Sequence, residues 1–184
     1  MISITRRIGI TAALILMVLP LAEAGQKPKP EDIWRTFRVF IGNWQGPSAG
    51  EPGTGECQRG YRFIYGEKFI EVKNKSSWAP TAQNPQSEVH EDLGYISYDK
   101  ARKTFVLRQF HIEGFVNQYR MESVSEDGKT IVFVSEAIEN IAAGWRARET
   151  YRIVGPEEFS EAFDLAAPGK DFEPYTKTTL KRVK

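Results

Sequence analysis

At 184 residues the chain is long enough for one domain with a full core and too short for two of ordinary size. An apolar fraction of 41% and a charged fraction of 27% exclude a disordered or fibrous chain. The 25 basic residues are balanced by 24 acidic ones, so neither nucleic acid nor an anionic membrane surface is expected as a partner.

Residues 1–24 read as an export signal. Arg6 and Arg7 supply the positive start, residues 8–21 the apolar stretch, and Ala22-Glu23-Ala24 the small-x-small cleavage site. This predicts a mature chain starting at Gly25, in the periplasm or outside the cell. The apolar run is about 14 residues, short of the roughly 20 that a spanning helix needs, so no stable membrane anchor is expected. Cys57 is the single cysteine. It rules out an intramolecular disulfide and is expected to be a small buried filler.

Residues 25–42 are expected to form a linker and a capping helix. Pro30, Glu31 and Asp32 suit a helix start, and Ile33, Trp34, Phe37, Phe40 and Ile41 recur on one helical face before Gly42 ends it. From Trp44 the pattern changes to strict alternation. Strands are predicted at 44–50, 56–65, 68–76, 88–98, 104–112, 115–124, 130–139, 145–154, 158–165 and 175–183, separated by turn residues such as Tyr65-Gly66-Glu67, Glu126-Asp127-Gly128 and Gly155-Pro156. About ten short strands with brief links describe an all-β, antiparallel up-and-down meander. Closing it into a barrel over residues 43–184 hides both edges. A two-sheet sandwich is the alternative.

Gly42-Asn43-Trp44 resembles the G-x-W signature of the calycin superfamily of lipocalin-like, fatty-acid-binding-protein-like and nitrobindin-like β-barrels. The resemblance implies that Trp44 packs across the closed end beneath a basic residue of the last strand, which here is Arg182. The opening Gly42-Asn43-Trp44-Gln45-Gly46, followed by Gly50, Pro52 and Gly55, is similar to the start of nitrobindin-like haem-binding barrels. Those hold ferric haem through a histidine near the C-terminal end, whereas this chain has no histidine after His111. Haem is therefore the one cofactor the resemblance admits, and none is expected by that route. The closest resemblance is to uncharacterised bacterial lipocalin-like domains.

Alternation assigns inner faces. Residues Trp145, Ala147, Glu149, Tyr151 and Ile153 face inward, against Arg146, Arg148, Thr150 and Arg152 outside; Phe159, Glu161, Phe163 and Leu165 form the next inner face. Buried Glu149 and Glu161 then require partners or protonation. Phe115, Asn117, Tyr119 and Met121 form a third mixed face. The facing of His111 depends on a turn. A three-residue turn with Gly114 left-handed pairs His111 with Phe115 and turns it inward, whereas a two-residue turn at Glu113-Gly114 brings Arg108 and Phe110 inside instead. His90-Glu91-Asp92 reads as a solvated strand end, because only His90 and Asp92 of the three share a face; no metal site is expected.

The expected function is binding of a small amphipathic or apolar molecule by an exported barrel, with His111, Asn117, Tyr119, Glu149, Tyr151, Glu161 and Arg108 as ligand-binding candidates. A monomer or weak homodimer is expected. The alternative is a small-molecule isomerase, cyclase or hydrolase, and it requires His111, Tyr119, Glu149 and Glu161 to converge.

Overall fold

The computed structural model describes residues 32–82 and 85–184, and Ile33–Lys184 form one compact unit. The expected export signal and the linker residues 25–30 lie outside the described residues. Ten antiparallel strands follow in chain order: β1 (Gly42–Gly50), β2 (Gly53–Ile64), β3 (Phe69–Trp78), β4 (Glu88–Asp99), β5 (Thr104–His111), β6 (Val116–Val124), β7 (Thr130–Glu139), β8 (Arg146–Gly155), β9 (Glu158–Ala166) and β10 (Glu173–Arg182). Each pairs with its chain neighbours, and β1 pairs with β10, so the sheet is a closed barrel rather than a sandwich. Closure leaves no exposed ladder edge.

The seam between first and last strands is tight. Trp44 lies opposite Arg182 and Ser48 opposite Thr178. A Cβ at Gly46 would enter the van der Waals shell of the Thr179 carbonyl oxygen, and one at Gly50 that of Tyr175. Both glycines are there because the two backbones pass too close for any side chain.

The expected capping helix is corrected by the structure. No α-helix is present among the described residues: turns over 33–37 lead into a single 3-10 turn, Arg38–Phe40. Two physical reasons favour this outcome. Thr36, Val39 and Ile41 are β-branched and disfavour α-helix. The residues that must be buried, Trp34, Phe37 and Phe40, recur every third position, which is the 3-10 period. The hydrogen bonds agree, with Phe37 N–H donating to the Trp34 carbonyl and Phe40 N–H to that of Phe37. Ile33 remains exposed, and Gly42 opens β1 at φ +129° instead of capping a helix.

These three aromatics plug one end of the barrel. Phe37 meets Phe105 and Phe133, and Phe40 meets Tyr61, Tyr151 and Phe159, with centroids 4.6–6.3 Å apart. The plug is latched from both sides. Trp34 Nε1 donates to the Glu67 carbonyl, and Trp44 Nε1 donates to that of Phe40 at 2.6 Å. The Arg182 guanidinium lies 4.2 Å from the Trp44 ring centroid and donates to the carbonyls of Ile41 and Val39, both at 2.8 Å. Gly42 makes room for it, since a Cβ there would lie 2.7 Å from Nη1 of Arg182.

Gly46→Val is expected to destabilise the barrel by about 3 kcal/mol or more, because a carbonyl in a ladder cannot move aside. Gly155→Ala, with nothing within 4 Å of the added carbon, should stay within about 0.5 kcal/mol of the parent. Urea denaturation of the two variants checks the contrast, and equal midpoints would refute the close-approach argument.

Candidate ligand-binding site

The plug fills only one end. Toward the other, where β1 ends and β10 begins, the barrel encloses a cavity of about 430 Å³. Its mouth is largely apolar, formed by Trp78, Phe115, Ile138, Ile141, Trp145 and Phe163. Its inner wall and floor are polar: Arg59, Asn74, His90, Asp92, Gln109, His111, Asn117, Glu149 and Glu161. Alternation turns these side chains inward from every strand of the barrel wall, polar and apolar alike.

The β5–β6 turn decides the place of His111. His111 N–H donates to the Phe115 carbonyl, Gly114 N–H donates back to that of His111, and Gly114 sits at φ +89°. The turn therefore has three residues, and Gln109 lies opposite Asn117 and Leu107 opposite Tyr119. His111 faces inward and stacks on Phe115 at 4.1 Å. By the same register Arg108 lies on the outer face opposite Gln118 and is exposed. Its assignment to the interior is corrected.

The other expected residues divide into two levels. His111, Asn117, Glu149 and Glu161 line the cavity. Tyr119 and Tyr151 lie beneath it in the buried aromatic core. Asn117 links the levels, donating to Tyr119 Oη at 2.8 Å and approaching His111 Nε2 at 3.1 Å. Of the four groups named for catalysis, His111 and Tyr119 both bond Asn117, Glu161 bonds Arg59, and Glu149 Oε2 has no hydrogen-bond partner.

Sequence reading missed a second set of cavity residues on β2 to β5. His90 and Asp92 are not a solvated strand end. Their side chains are 23% and 6% exposed, and Asp92 lies opposite His111 across the β4–β5 ladder. His90 Nε2 is 3.2 Å from His111 Nδ1 and 3.7 Å from Asp92 Oδ2, and His90 Nδ1 is 2.7 Å from Glu113 Oε1. Asn74 Nδ2 holds the other oxygen of Asp92 at 2.8 Å. Pairing β4 to β5 about the Asp99–Thr104 turn would have exposed this cluster, because it sets position 92 opposite 111.

The two imidazoles differ electrically. Burial drives the His111 imidazole down to about 4, with His90 adding to the effect and Asp92 opposing it. Burial also acts to lower His90, but the carboxylates of Asp92 and Glu113 outweigh it and hold that ring above its ordinary value. Deeper in, Arg59 makes a two-point pair with Glu161, Nη2 to Oε1 at 2.9 Å and Nε to Oε2 at 3.2 Å. Glu149 has no such cation. Its Oε2 is buried without a hydrogen-bond partner, and burial, with Glu161 nearby, pushes its carboxyl well above the usual range.

A closed ten-stranded antiparallel barrel, plugged at one end and hollow at the other, defines a small-molecule-binding class of fold. Residues 35–182 match the family described as "THAP4-like, heme-binding beta-barrel domain", and the chain belongs to that family. No curated protein matches the sequence. Among solved structures, Rv2717c from M. tuberculosis is similar with a TM-score of 0.60 at 16% identity, over 82% of this chain and 97% of that one. A redesigned β-barrel, b11L5F_LGL, aligns with a TM-score of 0.42 at 12% identity over 79% and 93% of the two chains. The first of these likenesses shows the fold alone.

The family's description raises the question of haem. The cavity-lining side chains of types that bind haem iron are His90, His111, Cys57 and Tyr175. The inner nitrogens of the two imidazoles face each other at 3.2 Å, so an iron taking one would hold the other at its side, where the porphyrin nitrogens stand. The Cys57 thiol is buried and donates to Ser76 Oγ at 3.0 Å. Burial and the carboxylates of Glu88, Glu51 and Glu113 push the Tyr175 phenol up, away from phenolate. As arranged, these residues do not fit haem through an iron–side-chain bond.

Glu149→Gln is expected to stabilise the protein at pH 7–8 by about 1 kcal/mol. The sign follows from the raised carboxyl. Its favourable, protonated form is matched by the unfolded chain below the ordinary glutamate pKa, and the stability it contributes there is lost as pH rises toward the folded-state value. The gain on substitution should thus shrink to nothing near pH 4. Urea denaturation across this pH range measures it, and a gain that is flat with pH would contradict the assignment.

Proposed function

We propose that the protein is an exported, calycin-type binding protein that holds one small amphipathic molecule in the barrel, its apolar part at the mouth and its polar end on the floor. The observation that carries this reading is the composition of the hollow. An apolar entrance leads to buried acceptors without partners: Asn74 Oδ1, Gln109 Oε1 and Glu149 Oε2. Asn74 and Gln109 both turn their amide nitrogens to Asp92, which leaves the oxygens free. Buried acceptors left bare are costly, so a ligand head that donates hydrogen bonds gains from them. His111, Asn117, Glu149 and Glu161 contact the ligand in this reading, with Tyr119 and Tyr151 supporting them from below. Export is supported by Arg6-Arg7, the apolar stretch 8–21 and Ala22-Glu23-Ala24. We take the protein to act as a monomer or weak homodimer.

Nile red, a neutral apolar dye, should bind with one-to-one stoichiometry and be displaced by solvent extracts of the freshly purified protein. Ile138→Arg at the mouth should weaken dye binding at least tenfold, while Arg108→Ala on the outer face leaves it unchanged. Dye binding indifferent to Ile138→Arg would sink the reading. Haemin producing a sharp Soret band that His111→Ala abolishes would replace it with haem held by an imidazole. Expressed in a Gram-negative host, the protein should be recovered from the periplasm with Gly25 as its first residue, and a chain starting at Met1 and confined to the cytoplasm would refute export.

A further inference from the structure

The cluster on β4 and β5 has a chemistry of its own, and shares His111 and Gln109 with the cavity lining. We propose that His90 Nε2, Asp92 Oδ2 and His111 Nδ1 form a binding site for a divalent transition-metal ion of the Zn2+ type, with an open coordination position facing the cavity. The three donor atoms lie within 4.8 Å of one another. His90 Nε2 stands 3.2 Å from His111 Nδ1 and 3.7 Å from Asp92 Oδ2. Bonds of about 2.0–2.1 Å to a tetrahedral zinc set neighbouring donors about 3.3 Å apart. Both distances from His90 Nε2 are close to that spacing, and the donors stand on adjacent strands.

The groups behind the donors point the same way. A metal-bound imidazole needs its other nitrogen to hold a proton and donate it. His90 Nδ1 faces the Glu113 carboxylate at 2.7 Å, and Asp92 Oδ1 is fixed by Asn74. His111 Nε2 faces the Asn117 amide at 3.1 Å. Rotated by half a turn, that amide accepts the His111 Nε2 proton, and amide orientation is set by the network it sits in. Every ligand is thus oriented by a partner outside the trio. A further observation is Gln109: it is 3% exposed, lines the same cavity beside Asp92, and its Oε1 has no partner. An oxygen acceptor of that kind is suited to hold a water bound at the open position. Two imidazoles and one carboxylate with a vacant position are the ligand chemistry of metals that polarise or bind a small molecule.

The test uses the mature protein stripped with a chelator and titrated with Co2+ and Zn2+. One equivalent of Co2+ should give the intense visible absorption of a four- or five-coordinate ion, and Zn2+ should displace it. Asp92→Asn, nearly isosteric, and His90→Ala should each weaken Zn2+ binding about 100-fold, and Glu113→Gln about 10-fold, with the stoichiometry unchanged. Circular dichroism establishes that each variant is folded. Absence of binding, only octahedral weak absorption, or equal affinity in parent and Asp92→Asn would overturn the proposal. Nile red binding by the parent protein separates the two readings: dye binding without metal binding refutes the metal site alone, and metal binding without dye binding refutes the ligand reading alone.

Discussion

The pairing of β1 with β10 is the constraint from which the rest of the molecule follows. A ten-stranded meander left open would present two long edges and would not enclose anything. Closing it brings Trp44 opposite Arg182, and that contact fixes the plug, because the same guanidinium holds the carbonyls of Val39 and Ile41. A cation over an indole is worth roughly 1–2 kcal/mol when desolvated, and charge-assisted hydrogen bonds add to it. The latch therefore couples the chain's entry into the barrel to its exit. The plug in turn defines which end is solid and which is hollow.

Much of this was legible in the residues. The alternation located all ten strands to within a few positions, because strands facing a core on one side and solvent on the other carry the clearest period. A three-residue turn aligns Phe105, Leu107, Gln109 and His111 on one mixed face, and the β5–β6 register has that turn, with His111 inside. The G-x-W triplet and Arg182 pointed to the closed end. Where reading failed, the cause was packing that a local pattern does not encode. Ile33, Trp34, Phe37, Phe40 and Ile41 suit an α-helical face as well as a three-residue period. Only the shape of the plugged end selects the second, burying positions 34, 37 and 40 and leaving 33 in solvent.

The candidate site was half visible for a related reason. Glu149 and Glu161 could be assigned to the interior from their own strands, but the cation that neutralises one of them, Arg59, comes from β2, 102 positions away. His90 and Asp92 share a face by alternation. Their conjunction with His111 arises only from the register between two strands. Arg108 failed in the opposite sense, since its inward facing depended on a turn the chain does not make. Pairwise facts on one strand can be read from a sequence. Groupings of three or more require the ladder.

Joining the first strand to the last also governs how the protein is made. The residues bonded by Arg182 precede it by up to 143 positions, so the enclosing contact has nearly the largest loop-closure cost the chain can incur. Until β10 is in place, β1 and β9 are unpaired edges. Contacts so distant in sequence slow folding, and clipping the chain within β10 would leave both edges unpaired.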